Sequence, residues 1–422
     1  MYDIIVIGSG VSGLTCACIL GKLGKKVLVI EKHDRPGGCL HTFRIHGFTF
    51  SSGNHYIGHL DDTCLKLIET CGSKAFKASG GETYICNGHK RCINNRLLWS
   101  EVFECEPSKV EYLADGMWWI AFIKLAPLWL AYVAWGFICI FRASIFKPYR
   151  NFVSIWSTMQ EGDIGCEPIA MVGAAVSRHY MDGLMKLSPR FVYQTCKRIR
   201  KQKGKIILKS EVIKIKHDGV LLRDGTFIAG KKIISSIGAK GTSFLADIPE
   251  LSFSVEQIGS NVTHKFVFLG LKHMVLPPGV IWIKEGSDYL FVSHDTQEKG
   301  IAVHLISETM SHDDMLSLFY KHYDIAQDKE LFRDFATKFS VKKYLGRLSS
   351  YGLACKKERF SNFRHVRNLR PNTSMQNLFL TGQDILMPGI ASALTSAMMT
   401  CRQVQEVTLL DTIMKNDIMD RI

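Results

Sequence analysis

The sequence has no CxxC pair and no group of Cys and His residues at the spacing of a zinc site, although it contains 13 cysteines. An odd number of cysteines at irregular spacings argues against a disulfide framework. We therefore predict no metal site and a reducing compartment. The chain also lacks internal repeats and low-complexity tracts. Its first predicted strand begins at Tyr2, so we expect no signal peptide.

Acidic residues are few relative to basic ones, with 39 Asp and Glu against 53 Lys and Arg and a formal net charge of +14. Such an excess favours anionic lipid surfaces or phosphate-bearing ligands. Nucleic acid is another anionic partner, but the chain has no nucleic-acid-binding motif. Its basic residues are scattered except in "KRIRKQKGK" at 197–205. We predict no nucleic-acid partner, and a solvated basic face is the simplest alternative.

A chain of 422 residues that is 46% hydrophobic is long enough for two domains, or for one domain with an inserted lobe. Its opening run, "MYDIIVIGSGVSGLTCACILGKLGKKVLVIEK", predicts a strand at 4–7, a helix, and a second strand at 27–30. Both strands are continuous apolar runs, which is typical of a parallel sheet covered on both faces.

The turn between the first strand and the helix, Gly8-Ser9-Gly10, fits the GxGxxG pattern together with Gly13. Gly8 suits the tight turn, Gly10 lets backbone amides approach a pyrophosphate, and Gly13 lets the helix pack on the strand. The helix N-terminus adds partial positive charge for the phosphates. This pattern predicts a dinucleotide-binding site.

An acidic residue, Glu31, follows Gly13 by 18 residues, close to the ~20 expected for a carboxylate that binds ribose hydroxyls. A carboxylate at this position repels a 2′-phosphate, which disfavours NADP here. The alternative is a glycine-rich turn without a ligand.

A second pair of glycines, Gly37 and Gly38, follows Glu31 and is preceded by Arg35. These residues resemble the RxGG pattern of a large family of FAD oxidoreductases that includes amine oxidases, phytoene desaturases and GDP-dissociation inhibitors. The resemblance implies that the glycine pair approaches the diphosphate and the near edge of a flavin, and that Arg35 neutralises phosphate charge. FAD is therefore the predicted cofactor.

Two distant segments also resemble parts of an FAD site. In "GKIILKSEVIKI" at 204–215, read as a strand pair, the backbone of Val212 is expected to meet the adenine. Near the end, "NLFLTGQDILMPGIASALTSAM" predicts a strand at 378–380, a turn at Gly382-Gln383-Asp384 and a helix that starts near Gly389 and Ile390. The resemblance implies that Asp384 binds the ribityl or pyrophosphate part. The helix N-terminus would stabilise a reduced anionic flavin.

The stretch "GGCLHTFRIHGFTFSSGNHYIGHL" resembles the retinol saturases and their relatives, the carotenoid isomerases and phytoene desaturases. "SRHYMDG" at 177–183 and "LTGQD" at 380–384 add to the resemblance. This sequence departs from the family pattern in two places. "LMKLSPRF" at 184–191 replaces a Pro-x-Gly-Gly turn, and the substrate lobe is shorter. The matching positions in the first stretch include Gly37, Gly38, Cys39, His41, Thr42, Phe43, Gly53, His55, Tyr56, Ile57 and Gly58.

This resemblance implies saturation of a carbon–carbon double bond of a hydrophobic isoprenoid polyene by FAD, with NAD(P)H or another reductant upstream. Desaturation and cis–trans isomerisation on the same scaffold remain open. A different class of function, a lipid escort of the GDP-dissociation-inhibitor type, also remains open. For catalysis, His41, His55 and Tyr56 follow the glycine pair, so His55 or Tyr56 is a candidate proton donor. The alternative is that they orient the loop by hydrogen bonds.

Residues 117–141 form a long apolar run with one charge, Lys124, and are divided by Pro127. A single bilayer crossing would separate Gly10 from Asp384, which contradicts one shared cofactor site. We favour a monotopic dip into one leaflet over a buried core helix pair, and so predict a membrane partner. The expected location is the endoplasmic reticulum or the cytoplasmic face of another membrane.

The predicted architecture is an α/β fold with a discontinuous, Rossmann-like FAD-binding domain of the amine-oxidase type and a second, membrane-facing substrate lobe. The FAD-binding domain is assigned to 1–70, 201–250 and 341–422, and the substrate lobe to 71–200 and 251–340.

Overall fold

The computed structural model describes residues 1–53, 57, 60–77, 81–86, 89–93, 126–127, 130, 184–260, 264–277, 279–286, 288–323, 329–337, 339–340, 342, 352–354, 358–359, 362–386, 388–407 and 418–422. The strands are β1 (Tyr2–Ile7), β2 (Val27–Ile30), β3 (Thr42–Ile45), β4 (Phe48–Ser51), β5 (Ala75–Lys77), β6 (Gly81–Cys86), β7 (His89–Ile93), β8 (Met185–Leu187), β9 (Lys205–Ile207), β10 (Val212–Lys216), β11 (Gly219–Leu222), β12 (Phe227–Ser235), β13 (Lys265–Leu271), β14 (Gly279–Glu285), β15 (Asp288–Gln297), β16 (Gly300–Ser307), β17 (Glu330–Ala336) and β18 (Leu378–Leu380).

The helices of the described residues are α1 (Val11–Lys22), α2 (Asp62–Thr70), α3 (Phe191–Lys201), α4 (Ala239–Ala246), α5 (Pro249–Ile258), α6 (His312–Tyr323), α7 (Phe363–Asn368), α8 (Ile390–Val404) and α9 (Ile418–Arg421). A short 3-10 helix spans Gly38–Leu40. The predicted strands at 4–7, 27–30 and 378–380 and the helix after Gly389 are all present, and the first strand begins at Tyr2 as expected.

The first sheet has a parallel centre in the order β9-β2-β1-β12-β18. The long strand β12 continues past this centre and pairs with β11, which pairs with β10, both antiparallel. The segment at 204–215 does contain two strands, β9 and β10, but the prediction that they pair with each other is wrong. β9 pairs with β2, and β10 pairs with β11. The partners of each strand lie elsewhere in the sequence, so its own residues do not reveal them.

Both faces of the parallel centre are covered, as the apolar runs predict. In β1, Ile4 and Val6 face a core that includes Leu14 of α1 and Leu394 of α8. The alternate residues, Ile5 among them, face a second core with residues of α4, α5 and β18. The four side chains from Ile4 to Ile7 are thus all buried, which explains why this part of the strand does not alternate between apolar and polar residues.

The second sheet has the order β17-β13-β16-β15-β14-β6-β7 and is antiparallel except between β14 and β6. The hairpin β3–β4, which follows the second glycine pair, packs on this sheet. Phe43 and Phe50 of the hairpin lie 5.2 and 5.4 Å, ring centre to ring centre, from Phe268 of β13. Gln297 of β15 bonds the backbone of Thr49 twice, accepting from its N–H (2.8 Å) and donating to its carbonyl (2.6 Å).

Most of the apolar run at 117–141 lies outside the described residues, as do His55, Tyr56 and the segment 177–183. Within the run, Ala126 is buried and its carbonyl accepts a hydrogen bond from Arg370. Among the helices in the part of the chain described here, none has the length and apolar character needed to cross a bilayer. The membrane dip and the domain boundaries stay predictions.

A buried arginine, Arg359, ties together two segments near the end of the first sheet. It is 2% exposed, and its guanidinium donates to the carbonyls of Leu353 (3.1 Å) and Ala354 (3.4 Å). It also donates to the carbonyls of Gln383 (3.0 Å), Asp384 (2.9 Å) and Leu386 (3.0 Å), which belong to the turn after β18. One side chain therefore satisfies three carbonyls of this turn.

We predict that Arg359→Leu lowers the free energy of unfolding by roughly 3 kcal/mol, because several buried carbonyls lose their donor. Urea unfolding measures this change. The control is Arg367→Leu on α7, which removes an exposed arginine and should cost less than about 0.5 kcal/mol. Equal stability of the two variants would contradict the assigned role of Arg359.

Candidate dinucleotide-binding site

The turn between β1 and α1 has the geometry that its glycines predict. Gly8 has φ +89°, a conformation that favours glycine. A Cβ on Gly13 would lie 2.4 Å from the Gly8 carbonyl oxygen, so the helix can approach the turn only without a side chain there. Gly10 differs, since a Cβ placed on it meets no protein atom within 4 Å. The space beside Gly10 is open to a ligand.

Glu31, at the end of β2, lies against this turn and is 7% exposed. Its Oε2 accepts from the Ser9 backbone N–H (2.9 Å) and the Ser9 hydroxyl (2.6 Å). Its Oε1 accepts from the His33 backbone N–H (3.0 Å). Three donors fix the carboxylate beside the turn, and Oε1, which accepts only one of these bonds, keeps a lone pair with which to accept another.

The second glycine pair lies directly on the first turn. The N–H of Gly37 donates to the carbonyl oxygen of Ser9 at 3.0 Å, and Gly37 has φ +124°. Gly38 has φ +56°, and a Cβ on it would lie 3.2 Å from the Cα of Gly10. The two loops belong to different sequence motifs, and together they form one glycine-lined surface beside Glu31.

The turn after β18 reaches the same region. Gly382 has φ +108°, and a Cβ on it would lie 3.3 Å from the Ser12 hydroxyl at the start of α1. Gly389 precedes α8 with φ +113°, is exposed, and a Cβ there would meet no atom within 4 Å. Ile390 is the first residue of α8, whose packing on α1 brings the two helices together.

The carboxylate of Asp384 binds backbone amides of the protein. It is 6% exposed, and its oxygens accept from the N–H groups of Ala239 (2.8 Å) and Leu353 (3.0 Å). It therefore joins the turn after β18 to the N-terminus of α4. Its assignment to the ribityl or pyrophosphate part of a cofactor stays a prediction.

The remaining predicted residues differ in their surroundings. Arg35 is exposed and forms an ion pair with Asp34 (3.1 Å). Val212 is buried at the start of β10, next to a register shift in its pairing with β11. His41 follows the 3-10 helix, and burial, assisted by the positive charge of Arg35, holds the pKa of its imidazole below the usual value. A lowered pKa leaves this imidazole largely neutral at pH 7.

Sequence reasoning missed Ser236, which follows β12 and holds the first turn in place. Its hydroxyl lies 2.9 Å from the Ile7 carbonyl oxygen and 3.0 Å from that of Gly8. Sequence reasoning also missed Arg359. No short-range pattern marks either residue, because most of the backbone groups that they bond are distant in sequence. Within the described residues, no group of three or more His, Cys, Asp or Glu could hold a metal ion.

The part of the site formed by the two glycine loops and Glu31 lies within a segment that matches a known domain family. Residues 6–66 match the model of the NAD(P)-binding Rossmann-like domain, and they contain both glycine loops and Glu31. The predicted α/β, Rossmann-like fold is confirmed by this match and by the parallel sheet.

Among characterised proteins, the chain is 58% identical over 60 residues to all-trans-retinol 13,14-reductase of Danio rerio, covering 14% of this chain and 10% of that protein. It is 42% identical over 155 residues to an inactive all-trans-retinol 13,14-reductase of Danio rerio, covering 31% and 25%. It is 35% identical over 86 residues to flavin-containing amine oxidase A of Sus scrofa, covering 20% and 16%. Each match spans a quarter or less of the relative's length.

Solved structures extend the likeness of fold to nearly the whole chain. A putrescine oxidase variant has a TM-score of 0.67 at 16% identity, covering 96% of this chain and 99% of that one. Cyclohexylamine oxidase from Brevibacterium oxydans has a TM-score of 0.63 at 15% identity, with the same coverage. The predicted resemblance to the retinol saturases and the amine-oxidase type of fold are thus confirmed, and the comparisons support FAD as the cofactor.

We predict that Gly10→Ala weakens FAD binding by about 10-fold to 100-fold, because one methyl in the open space next to Gly10 costs ~1–3 kcal/mol in close contacts. The folded protein should keep its stability, since Gly10 has φ −68° and its Cβ meets no protein atom. Titration of the apoprotein with FAD, followed by flavin fluorescence, measures the change.

The matched variant is Gly13→Ala, whose methyl would collide with the Gly8 carbonyl oxygen inside the protein. It should lower the melting temperature, whereas Gly10→Ala should not. If Gly10→Ala binds FAD as tightly as the original chain does, the glycine surface is not the cofactor site.

Proposed function

We propose that the protein is an FAD-dependent oxidoreductase that saturates a carbon–carbon double bond of a hydrophobic isoprenoid polyene. The observation that carries the cofactor assignment is the surface formed by Gly10, Gly37 and Gly38 beside the fixed carboxylate of Glu31. Side chains are absent where a dinucleotide backbone must approach closely. The assignment of the reaction rests on the similarity to all-trans-retinol 13,14-reductase.

In this proposal Glu31 accepts a hydrogen bond from a ribose hydroxyl. The N-terminus of α1, from Gly10 onward, donates backbone N–H groups to the diphosphate, because the N–H groups of Gly8 and Ser9 are already bonded to Ile30 and Glu31. Arg35 adds positive charge, and the backbone of Val212 meets the adenine. The N-terminus of α8, after Gly389, supplies partial positive charge to the flavin ring. When bound, FAD supplies hydride transfer, with NAD(P)H as a possible source of electrons.

The proton that accompanies saturation must come from the protein or from water. His41 is a poor donor at neutral pH, because burial keeps its imidazole neutral. Its backbone instead supports the loop, since its carbonyl accepts from the Ser52 N–H at 2.8 Å. The proposal therefore assigns proton donation to His55 or Tyr56, which come three and four residues after Ser52 in the chain.

An apolar polyene dissolves in membranes, so we propose that residues 117–141 dip into one leaflet and receive substrate there. The location would be the endoplasmic reticulum or the cytoplasmic face of another membrane. The run of apolar residues and its interruption at Pro127 support this part of the proposal.

The function is tested with the purified protein. We expect a yellow protein with a flavin spectrum that, after anaerobic reduction, is reoxidised by retinol and not by phytoene. Product analysis should then show a saturated retinol bond. Oxidation of phytoene by the unreduced protein would replace this proposal with desaturation. A colourless protein that takes up no FAD would favour the lipid-escort alternative.

The proton donor is tested with His55→Gln and Tyr56→Phe, and with His217→Gln as a control on an exposed turn. Loss of a general acid slows the reaction by about 100-fold to 10,000-fold. We expect one of the two site variants to lose turnover to this extent while keeping the flavin spectrum. Full turnover in both variants, as in the control, would remove these residues from the mechanism.

A further inference from the structure

The region from 184 to 210 carries a concentration of positive charge that the proposed reaction does not use. It contains nine Lys and Arg residues and no Asp or Glu. The ion pairs found within the described residues involve other side chains, so these nine charges are not neutralised by ion pairs there. The nine are Lys186, Arg190, Lys197, Arg198, Arg200, Lys201, Lys203, Lys205 and Lys209.

Helix α3 arranges part of this charge on one face. Phe191, Thr195, Cys196 and Ile199 are buried, which defines the inner face of the helix. The exposed residues recur at helical spacing on the opposite face, and Lys203 and Lys205 are exposed just beyond its end. We call the exposed set the α3 basic face; it consists of Tyr193, Lys197, Arg200, Lys201, Lys203 and Lys205.

The helix that presents this face is held firmly. It packs on α1, and its Gln194 side chain accepts from the Ser73 hydroxyl at 2.7 Å. At its N-terminal end, Val192 lies 3.1 Å from the position that a Cβ on Gly37 would occupy. The α3 basic face therefore has a fixed orientation relative to the glycine surface of the candidate site.

The aromatic residue of the face points to the chemistry of its partner. Tyr193 is 64% exposed, one turn before Lys197. A tyrosine at one end of a cationic stripe suits the boundary between lipid headgroups and water, where its ring is partly buried and its hydroxyl is hydrated. Binding of single-stranded nucleic acid uses several aromatic rings on which bases stack. This helix face offers a single aromatic ring.

We propose that the α3 basic face docks the protein on an anionic lipid membrane, with phosphate or carboxylate headgroups as its ligands. Cations close to an anionic leaflet each add attraction that falls off within a Debye length. Such docking deepens the proposed function, since it holds the cofactor domain at the surface that contains an apolar substrate. It uses a part of the chain separate from 117–141.

The test is sedimentation of the full-length protein with vesicles of phosphatidylcholine, with or without phosphatidylserine. We expect binding that requires phosphatidylserine and weakens as salt is added. The triple variant Lys197→Gln, Arg200→Gln and Lys201→Gln should lose about 100-fold in partitioning, at roughly fivefold per cation. Tyr193→Ser should lose a smaller part of the binding, with an unchanged salt dependence.

The matched control removes the same charge elsewhere, by Lys214→Gln, Lys216→Gln and Lys240→Gln on β10 and α4, where all three are exposed. It should bind the anionic vesicles nearly as well as the original chain. Circular dichroism of every variant verifies folding. The vesicle-binding measurement does not depend on substrate or cofactor. A duplex RNA, followed by fluorescence anisotropy, provides the competing ligand.

Equal loss in the two triple variants would contradict a docking face on α3, because net charge alone would then explain binding. Binding that is as strong to phosphatidylcholine alone would also contradict it and would instead favour 117–141. Tighter binding to the RNA than to the vesicles would replace the lipid proposal. Failure of retinol to react, with vesicle binding as expected, would overturn the proposed reaction alone.

Discussion

The candidate site depends on the direct contact between two glycine loops, with the Gly37 N–H bonded to Ser9 and Gly38 lying against Gly10. A Cβ on Gly38 would lie 3.2 Å from the Cα of Gly10, so glycine at this position lets the backbone of both loops face the same ligand. Glu31 fixes the contact by bonding Ser9 through its carboxylate. The other parts of the site, the turn after β18 and the start of α8, are positioned relative to this pair through their packing on α1.

The rest of the fold connects this pair of loops to a second sheet. The chain leaves Gly38 through the hairpin β3–β4, whose phenylalanines pack on β13 and whose backbone is bonded by Gln297. Apolar packing and one bidentate side chain thus set the distance between the glycine surface and the sheet assigned to the substrate lobe. His55 and Tyr56, the proposed proton donors, follow this hairpin in sequence.

The sequence allowed the first glycine turn, Glu31, the glycine pair, β18 and the start of α8 to be predicted, because each is written in a short local pattern. Strand pairing was predicted less well. The segment at 204–215 forms two strands, but their partners are β2 and β11, which local residues cannot specify. Ser236 and Arg359 were not predicted, since a side chain that bonds distant carbonyls leaves no periodic signal. Asp384 was predicted as a cofactor ligand, whereas its described partners are the N–H groups of Ala239 and Leu353.

The insertion of β18 beside β12 has a consequence for how the chain is made. One edge of β12, which ends at Ser235, pairs with β1, but the strand β18 that pairs with its opposite edge begins only at Leu378. The hydrogen bonds of Arg359 to the turn after β18 form later still. During synthesis on the ribosome, the first sheet therefore has one edge unpaired while five of the seven strands of the second sheet, β13 to β17, are translated. An open strand edge invites pairing with other chains. Efficient production of this protein in a cell should accordingly rely on chaperones that shield the nascent polypeptide over that interval.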